Sequence, residues 1–138
     1  MQTPPKSAYE KAGGLAYFPR MLDKIRLHAQ GQLRPDFHRN LGVGADGWCT
    51  KFLRVPYADL KTRVLAGGTD EEILQWCYEQ GRPLDENDVM IWNAFITKIG
   101  WRDQFSARLE KLKAEQGLAH RTDITTMPEF FEVDEGRA

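Results

Sequence analysis

The sequence predicts an all-α fold, a single compact domain of six or seven short helices around a central buried helix at about 85–99. Three observations carry this. Glycine and proline cut the chain into helix-length pieces, and almost nowhere do apolar residues alternate as they do in a half-buried strand. Thr69-Asp70-Glu71-Glu72 has the form of a capping box, in which a threonine hydroxyl and a glutamate carboxylate each accept from the other's backbone amide. Between Asp85 and Ile99 the residues Val89, Met90, Ile91, Trp92, Ala94, Phe95 and Ile96 leave hardly any polar side to the helix, the pattern of a segment enclosed by protein. With 138 residues the chain can bury roughly 68% of its unfolded surface, enough to fold without a disulfide or a metal.

In chain order, residues 1–14 read as an extended arm ending at Gly13-Gly14, and residues 15–138 as the helical domain. Pro19 suits the first turn of a helix that runs to Gly31 and gathers Phe18, Met21, Leu22, Ile25 and Ala29 on one face. Residues 31–47 form a loop, followed by a short helix from Trp48 to Leu53. Pro56 opens a helix carrying Tyr57, Leu60, Val64 and Leu65, which Gly67-Gly68 stops. The capping box then starts a helix through Ile73, Leu74 and Cys77 to Gly81, with Asp70 and Glu71 at the positive end of its dipole. The 85–99 helix follows, with Asn93 as a buried amide that needs hydrogen-bond partners, either a loop carbonyl to which it ties the helix or a ligand that it faces. An amphipathic helix over 102–116 turns Phe105, Leu109 and Leu112 inward, and a last short helix from Thr126 carries Phe130 and Phe131 among acids. The helices at 18–30, 70–80 and 102–116 are expected to pack around 85–99, with Trp48, Trp76, Trp92 and Trp101 as core and core-edge anchors.

Charge narrows the function classes. Residues 1–54 hold nine Lys/Arg against four Asp/Glu, a net +5, and the remainder carries −6. Such a division is neutralised when the halves pack together, or it marks an anion-binding surface. Nucleic acid is disfavoured by a pI near 6.3 and by aromatics that do not interleave with the basic residues. No stretch has the ~20 apolar residues of a membrane span, and Met1-Gln2-Thr3-Pro4-Pro5-Lys6 lacks the apolar run of a secretory leader. Two lone cysteines, Cys49 and Cys77, fit a reducing cytoplasm.

One motif stands out. Gly42-Val43-Gly44-Ala45-Asp46-Gly47 matches G-x-G-x-x-G, but Phe37-His38-Arg39-Asn40-Leu41 before it is too polar for a central parallel strand, so a dinucleotide fold is excluded. Glycine-rich backbone feeding a helix can still present amides to an anion. On that reading Arg39, Gly42, Gly44, Gly47 and Lys51 are the candidate ligand-binding residues, with Arg54 adding charge; the plainer alternative is a tight turn with positive φ. Asp36, His38, Asn40 and Asp46 superficially suggest a calcium loop, yet Leu41 occupies the position that needs glycine and Gly47 the one that needs an acid, and no metal or other cofactor is expected. For catalysis the candidates are His38, Asp46 and Cys49, either as a thiolate at a helix start activated by His38 or with Asp46 as a base. A small buried cysteine is the ordinary alternative for Cys49.

Several segments in order, Leu15-Ala16-Tyr17-Phe18-Pro19-Arg20-Met21-Leu22-Asp23-Lys24-Ile25-Arg26, Asn40-Leu41-Gly42-x-Gly44-x-Asp46-Gly47-x-Cys49, Gly67-Gly68-Thr69-Asp70-Glu71-Glu72-Ile73-Leu74-x-Trp76-Cys77, Ile91-Trp92-Asn93-Ala94-Phe95, Gly100-Trp101-Arg102-Asp103 and Val133-Asp134-Glu135-Gly136-Arg137, resemble the bacterial family called domain of unknown function 5069. The resemblance implies a small free-standing bacterial cytosolic protein and no particular reaction. It directs attention to the Arg20–Lys24 helix and the Gly42–Cys49 loop. Ala45 stands where the family has an aromatic, and Thr50 where it has cysteine, which removes a thiol pair. The expectation is a cytosolic binding module for an anionic small molecule or an acidic protein surface, free to oligomerise; the alternative is a small enzyme with its site in the 36–49 loop.

Overall fold

A computed structural model describes residues 3–138. Among them are seven α-helices: α1 (Phe18–Ala29), α2 (Ala45–Leu53), α3 (Tyr57–Leu65), α4 (Asp70–Gln80), α5 (Glu86–Ile96), α6 (Ser106–Glu115) and α7 (Met127–Asp134). A 3-10 helix, Pro35–Asn40, lies between α1 and α2, and the sheet consists of β1 (Lys11–Ala12) and β2 (Leu15–Ala16) alone. The fold is mostly helical, as the glycine and proline spacing predicts. No helix of the described residues is long and apolar enough to cross a membrane.

Local chemistry explains most boundaries. At α4 the Glu72 amide donates to the Thr69 hydroxyl at 3.1 Å and the Thr69 amide to the Glu72 carboxylate at 2.9 Å, completing the capping box. Asp85 and Asp88 build the same reciprocal cap at the start of α5, at 2.8 and 3.1 Å. Pro19 and Pro128 sit in first turns, where the missing amide hydrogen costs no helical bond. Helix α2 begins at Ala45, three residues before the expected Trp48, because the Trp48 amide already bonds the Gly44 carbonyl at 2.9 Å and Gly47 is helical.

Two expectations are corrected. The end of the expected extended arm folds back as a hairpin: Lys11 pairs with Ala16 and Ala12 with Leu15 across a Gly13-Gly14 turn whose φ angles, 54° and 81°, suit the tightest hairpin connection. A Cβ at Gly13 would come within 2.7 Å of Leu74, so glycine is required there for close approach as well as for conformation. The second correction concerns the centre. Helix α1, not the 85–99 segment, is the enclosed one, with Phe18, Met21, Leu22, Ile25 and Leu27 buried together with Arg20 and Lys24, while Ala29 is exposed. Helix α5 buries only Trp92 and Ile96 and leaves Met90 61% and Ile91 57% exposed. Apolar residues all round a helix do not compel burial, because a small domain always shows much apolar surface to water.

What holds α5 is specific. The Trp92 indole donates to the Ala16 carbonyl at 2.8 Å and stacks on Phe52. Asn93 accepts from the Ala16 amide at 2.9 Å and donates to the Gly14 carbonyl at 2.8 Å, so of its two expected roles it has the tie to a loop carbonyl. Trp48 and Trp76 are half-buried at the core edge, whereas Trp101 is largely in solvent with Arg102 beside its ring.

Candidate functional site

The polar residues of α1 carry the most unusual chemistry of the molecule. Arg20 and Lys24, four residues apart, share a face of the helix, and Tyr17 precedes it as the N-cap residue. Opposite them Asp46, wholly buried in the first turn of α2, accepts from the Tyr17 hydroxyl at 2.7 Å and the Lys24 ammonium at 3.0 Å through Oδ1, and from the Gly42 amide at 3.1 Å through Oδ2. Lys24 Nζ lies 3.4 Å from the Tyr17 oxygen. Tyr17 reaches this position from a left-handed backbone, φ 73°, a conformation that costs a bulky residue energy and persists only where surroundings enforce it. Burial drives the Tyr17 phenol well above its ordinary pKa, with the Asp46 charge adding to it. Burial also lowers the Lys24 ammonium; Asp46 opposes that shift and Arg20 reinforces it.

Arg20, 3% exposed, is clamped from the C-terminal end of the chain. Its Nη1 and Nη2 donate to the two oxygens of buried Glu135 at 2.8 and 2.7 Å, and Nη1 also reaches the Lys6 carbonyl at 3.1 Å. The guanidinium lies 4.4 Å from the centre of the Phe131 ring. Its Nε is buried and has no partner among the described residues.

These side chains border a cavity of about 410 Å³ between α1, the 3-10 helix, α2, α6 and α7. Tyr17, Arg20 and Lys24 line it from α1, Arg34 and Arg39 from the 3-10 region, and Arg108 from α6. Its apolar walls include Phe37, Trp48, Phe105, Phe130 and Phe131. Arg34 is neutralised by Asp36 and Asp134, at 2.6 Å each. Arg39 and Arg108 have no carboxylate partner among the described residues.

The structure divides the residues that the sequence singles out. Arg39 and Gly44 line this cavity and Asp46 lies beneath it. Gly42, Gly44, Gly47 and Lys51 line a second cavity of about 400 Å³, which shares Val43, Gly44 and Trp48 with the first, so Arg39 and Lys51 serve different spaces. At Gly42, with φ 77°, a Cβ would sit 2.9 Å from the Tyr57 ring, and its amide is spent on Asp46: the anion this loop holds is the protein's own carboxylate. Cys49 is buried, and burial pushes its thiol well up, away from thiolate. His38 Nε2 lies 3.1 Å from the Leu33 carbonyl and its ring packs on His28. No group of three or more His, Cys, Asp or Glu among the described residues is placed to hold a metal ion.

Tyr17 and Glu135 are not singled out as site residues in the sequence, and Lys24 is reached only through the attention the resemblance draws to the Arg20–Lys24 helix. A mostly helical domain with a charged cluster buried beneath an aromatic-walled cavity is the class these features define. The chain belongs to the family described as Domain of unknown function (DUF5069), whose model matches residues 2–137. No curated protein matches it.

Proposed function

We propose that this protein binds a small organic anion, a carboxylate or phosphate carrying an apolar body, in the cavity between α1, the 3-10 helix, α2, α6 and α7. One observation carries the reading: five cationic side chains, against the three acids Asp36, Glu115 and Asp134, converge on a half-open cleft of about 410 Å³ whose other walls are largely aromatic and aliphatic. That volume lies within the range of small-molecule sites, about 300–1,000 Å³. Arg39 and Arg108 supply charge not paired with a carboxylate among the described residues, and Trp48, Phe105 and Phe130 supply the apolar contact. Because these cations face a cavity and not a flat surface, a small molecule fits them better than an acidic protein does. Two free, buried thiols, Cys49 and Cys77, are in keeping with work in a reducing cytoplasm.

The test is a thermal-shift and calorimetric screen of small mono- and dicarboxylates and sugar phosphates, repeated on Arg39→Ala, Arg108→Ala and Lys51→Ala. Loss of one charge-assisted contact costs about 1.5–3 kcal/mol, or roughly 10- to 100-fold in affinity. That loss is expected for the first two variants and not for Lys51→Ala, which lies at the other cavity. Equal affinity in all four proteins, or loss only in Lys51→Ala, would refute the assignment.

A further inference from the structure

We propose that Lys24 is an amine nucleophile and that the ligand is an oxo acid, captured as an imine through its carbonyl carbon while its carboxylate is read by Arg39 and Arg108. The proposal rests on the anion-binding reading of the same cavity and adds a reaction to it.

Imine formation asks three things of a site, and the surroundings of Lys24 meet each of them. The amine must border a space that a carbonyl compound can enter; Lys24 lines the 410 Å³ cavity although its side chain is only 7% exposed. A base must take the ammonium proton, and Asp46 Oδ1 is 3.0 Å away. An acid must protonate the departing oxygen, and the Tyr17 hydroxyl lies 3.4 Å from Nζ, hydrogen-bonded at 2.7 Å to the same carboxylate, so a proton passed from Nζ to Asp46 can reach the phenol. Arg20, one helical turn before Lys24, adds a second cation beside the amine, offset in part by its pair with Glu135, and burial of the amine works in the same direction, toward the neutral, nucleophilic form. The lowered Lys24 ammonium agrees with this geometry. A merely structural ion pair would not call for the rest: buried pairs seldom gain on apolar packing, and this one is bordered by an arginine whose Nε is unpartnered and by a tyrosine held in a left-handed backbone.

The step balances. The ammonium gives one proton to Asp46; the nitrogen lone pair forms the C–N bond as the carbonyl π bond breaks onto oxygen, which is protonated through Tyr17. The C–O bond of the carbinolamine then breaks as the nitrogen loses a second hydrogen, and oxygen leaves as water. Of the three ammonium hydrogens two depart in that water and one stays on the iminium nitrogen, which keeps the positive charge.

The experiment is borohydride trapping on the full-length protein with pyruvate and phenylpyruvate, read by intact mass and peptide mapping, with lactate as the matched acid lacking a carbonyl. The expected result is one reduced adduct per chain mapping to Lys24, absent with lactate and absent in Lys24→Arg, which keeps the charge but cannot form an imine. Should Lys24→Arg fail to fold, mapping on the unaltered protein decides alone. No adduct, or adducts spread over surface lysines such as Lys11 and Lys51, would overturn the proposal. A thermal shift with pyruvate or phenylpyruvate but no adduct would remove the imine and leave the binding reading standing, whereas no shift with any organic anion would remove both.

Discussion

Asp46→Ala isolates the physics of the site most sharply. The substitution takes from Lys24 its carboxylate at 3.0 Å, from the Gly42 amide its acceptor at 3.1 Å, and from the Tyr17 hydroxyl its partner at 2.7 Å, all beneath a residue with no solvent exposure. Breaking a buried ion pair from one side costs about 3–5 kcal/mol, because the remaining charge is left without compensation. Total stability for a domain of this kind is about 5–15 kcal/mol, so the variant should be severely weakened yet measurable by urea denaturation. Its pH dependence identifies the cause. Unfolded Lys24 titrates near about 10.4; folded, buried and still facing Arg20 and neutral Tyr17, with Glu135 behind Arg20, it titrates lower. Between those two values the unfolded chain binds more protons, so stability rises with pH, and below the folded value the full penalty applies. Tyr17, raised in the fold, has the opposite slope once unfolded tyrosine begins to ionise at about pH 10, so the rise should be read below that point. Adding Lys24→Met to Asp46→Ala removes the orphaned charge and should recover much of the loss. A single-variant cost below about 1 kcal/mol, or further destabilisation by Lys24→Met, would refute the account of a desolvated, mutually dependent pair.

Two predictions concern the scaffold. A Cβ at Gly81 would run into the Leu53 carbonyl and come within 2.8 Å of both the Arg54 carbonyl and Val55, where the end of α4 meets the end of α2, so Gly81→Ala should cost roughly 1–3 kcal/mol in urea denaturation; an unchanged midpoint would disprove that contact. Neither cysteine should react with iodoacetamide near neutral pH in the folded protein, since burial pushes Cys77 up to about 12 and Cys49 well above its ordinary value, and both should react in urea. Rapid modification of native Cys49 would reopen the thiol reading of the Gly42–Cys49 loop.

The features legible in the sequence are those that local chemistry decides. Thr69 and Glu72 cap α4 through atoms three residues apart, and Pro19, Gly31 and Gly117 mark helix boundaries through their own backbone preferences, so no tertiary information is needed. The hairpin escaped because each strand is two residues long, too short to show a period of two, although Gly13-Gly14 signalled a turn. Which helix is enclosed is a tertiary matter: only partners far away in the chain, Asp46 and Glu135, make the burial of charged Arg20 and Lys24 in α1 tolerable. The glycine-rich loop was visible, but its purpose was not. Its glycines let Tyr57 approach and aim an amide at Asp46, and neither contact is encoded in the spacing itself.

The two ends of the chain meet at the same cluster. Arg20 grips Glu135, Glu135 also accepts from Arg137 at 2.7 Å, Arg137 bonds the Pro5 carbonyl, and Ser7 donates to Glu132 at 2.7 Å. Helix α7, which forms one wall of the cavity with Phe130 and Phe131, is thus anchored through charged contacts to the segment before β1 and to α1. A purely apolar seam of the same size would close the domain with less desolvation cost. Charge is instead concentrated where α1, α2 and α7 converge on the cavity: Glu135 and Asp46 pair with Arg20 and Lys24 in its wall, while Arg39 and Arg108 line it without a carboxylate partner among the described residues.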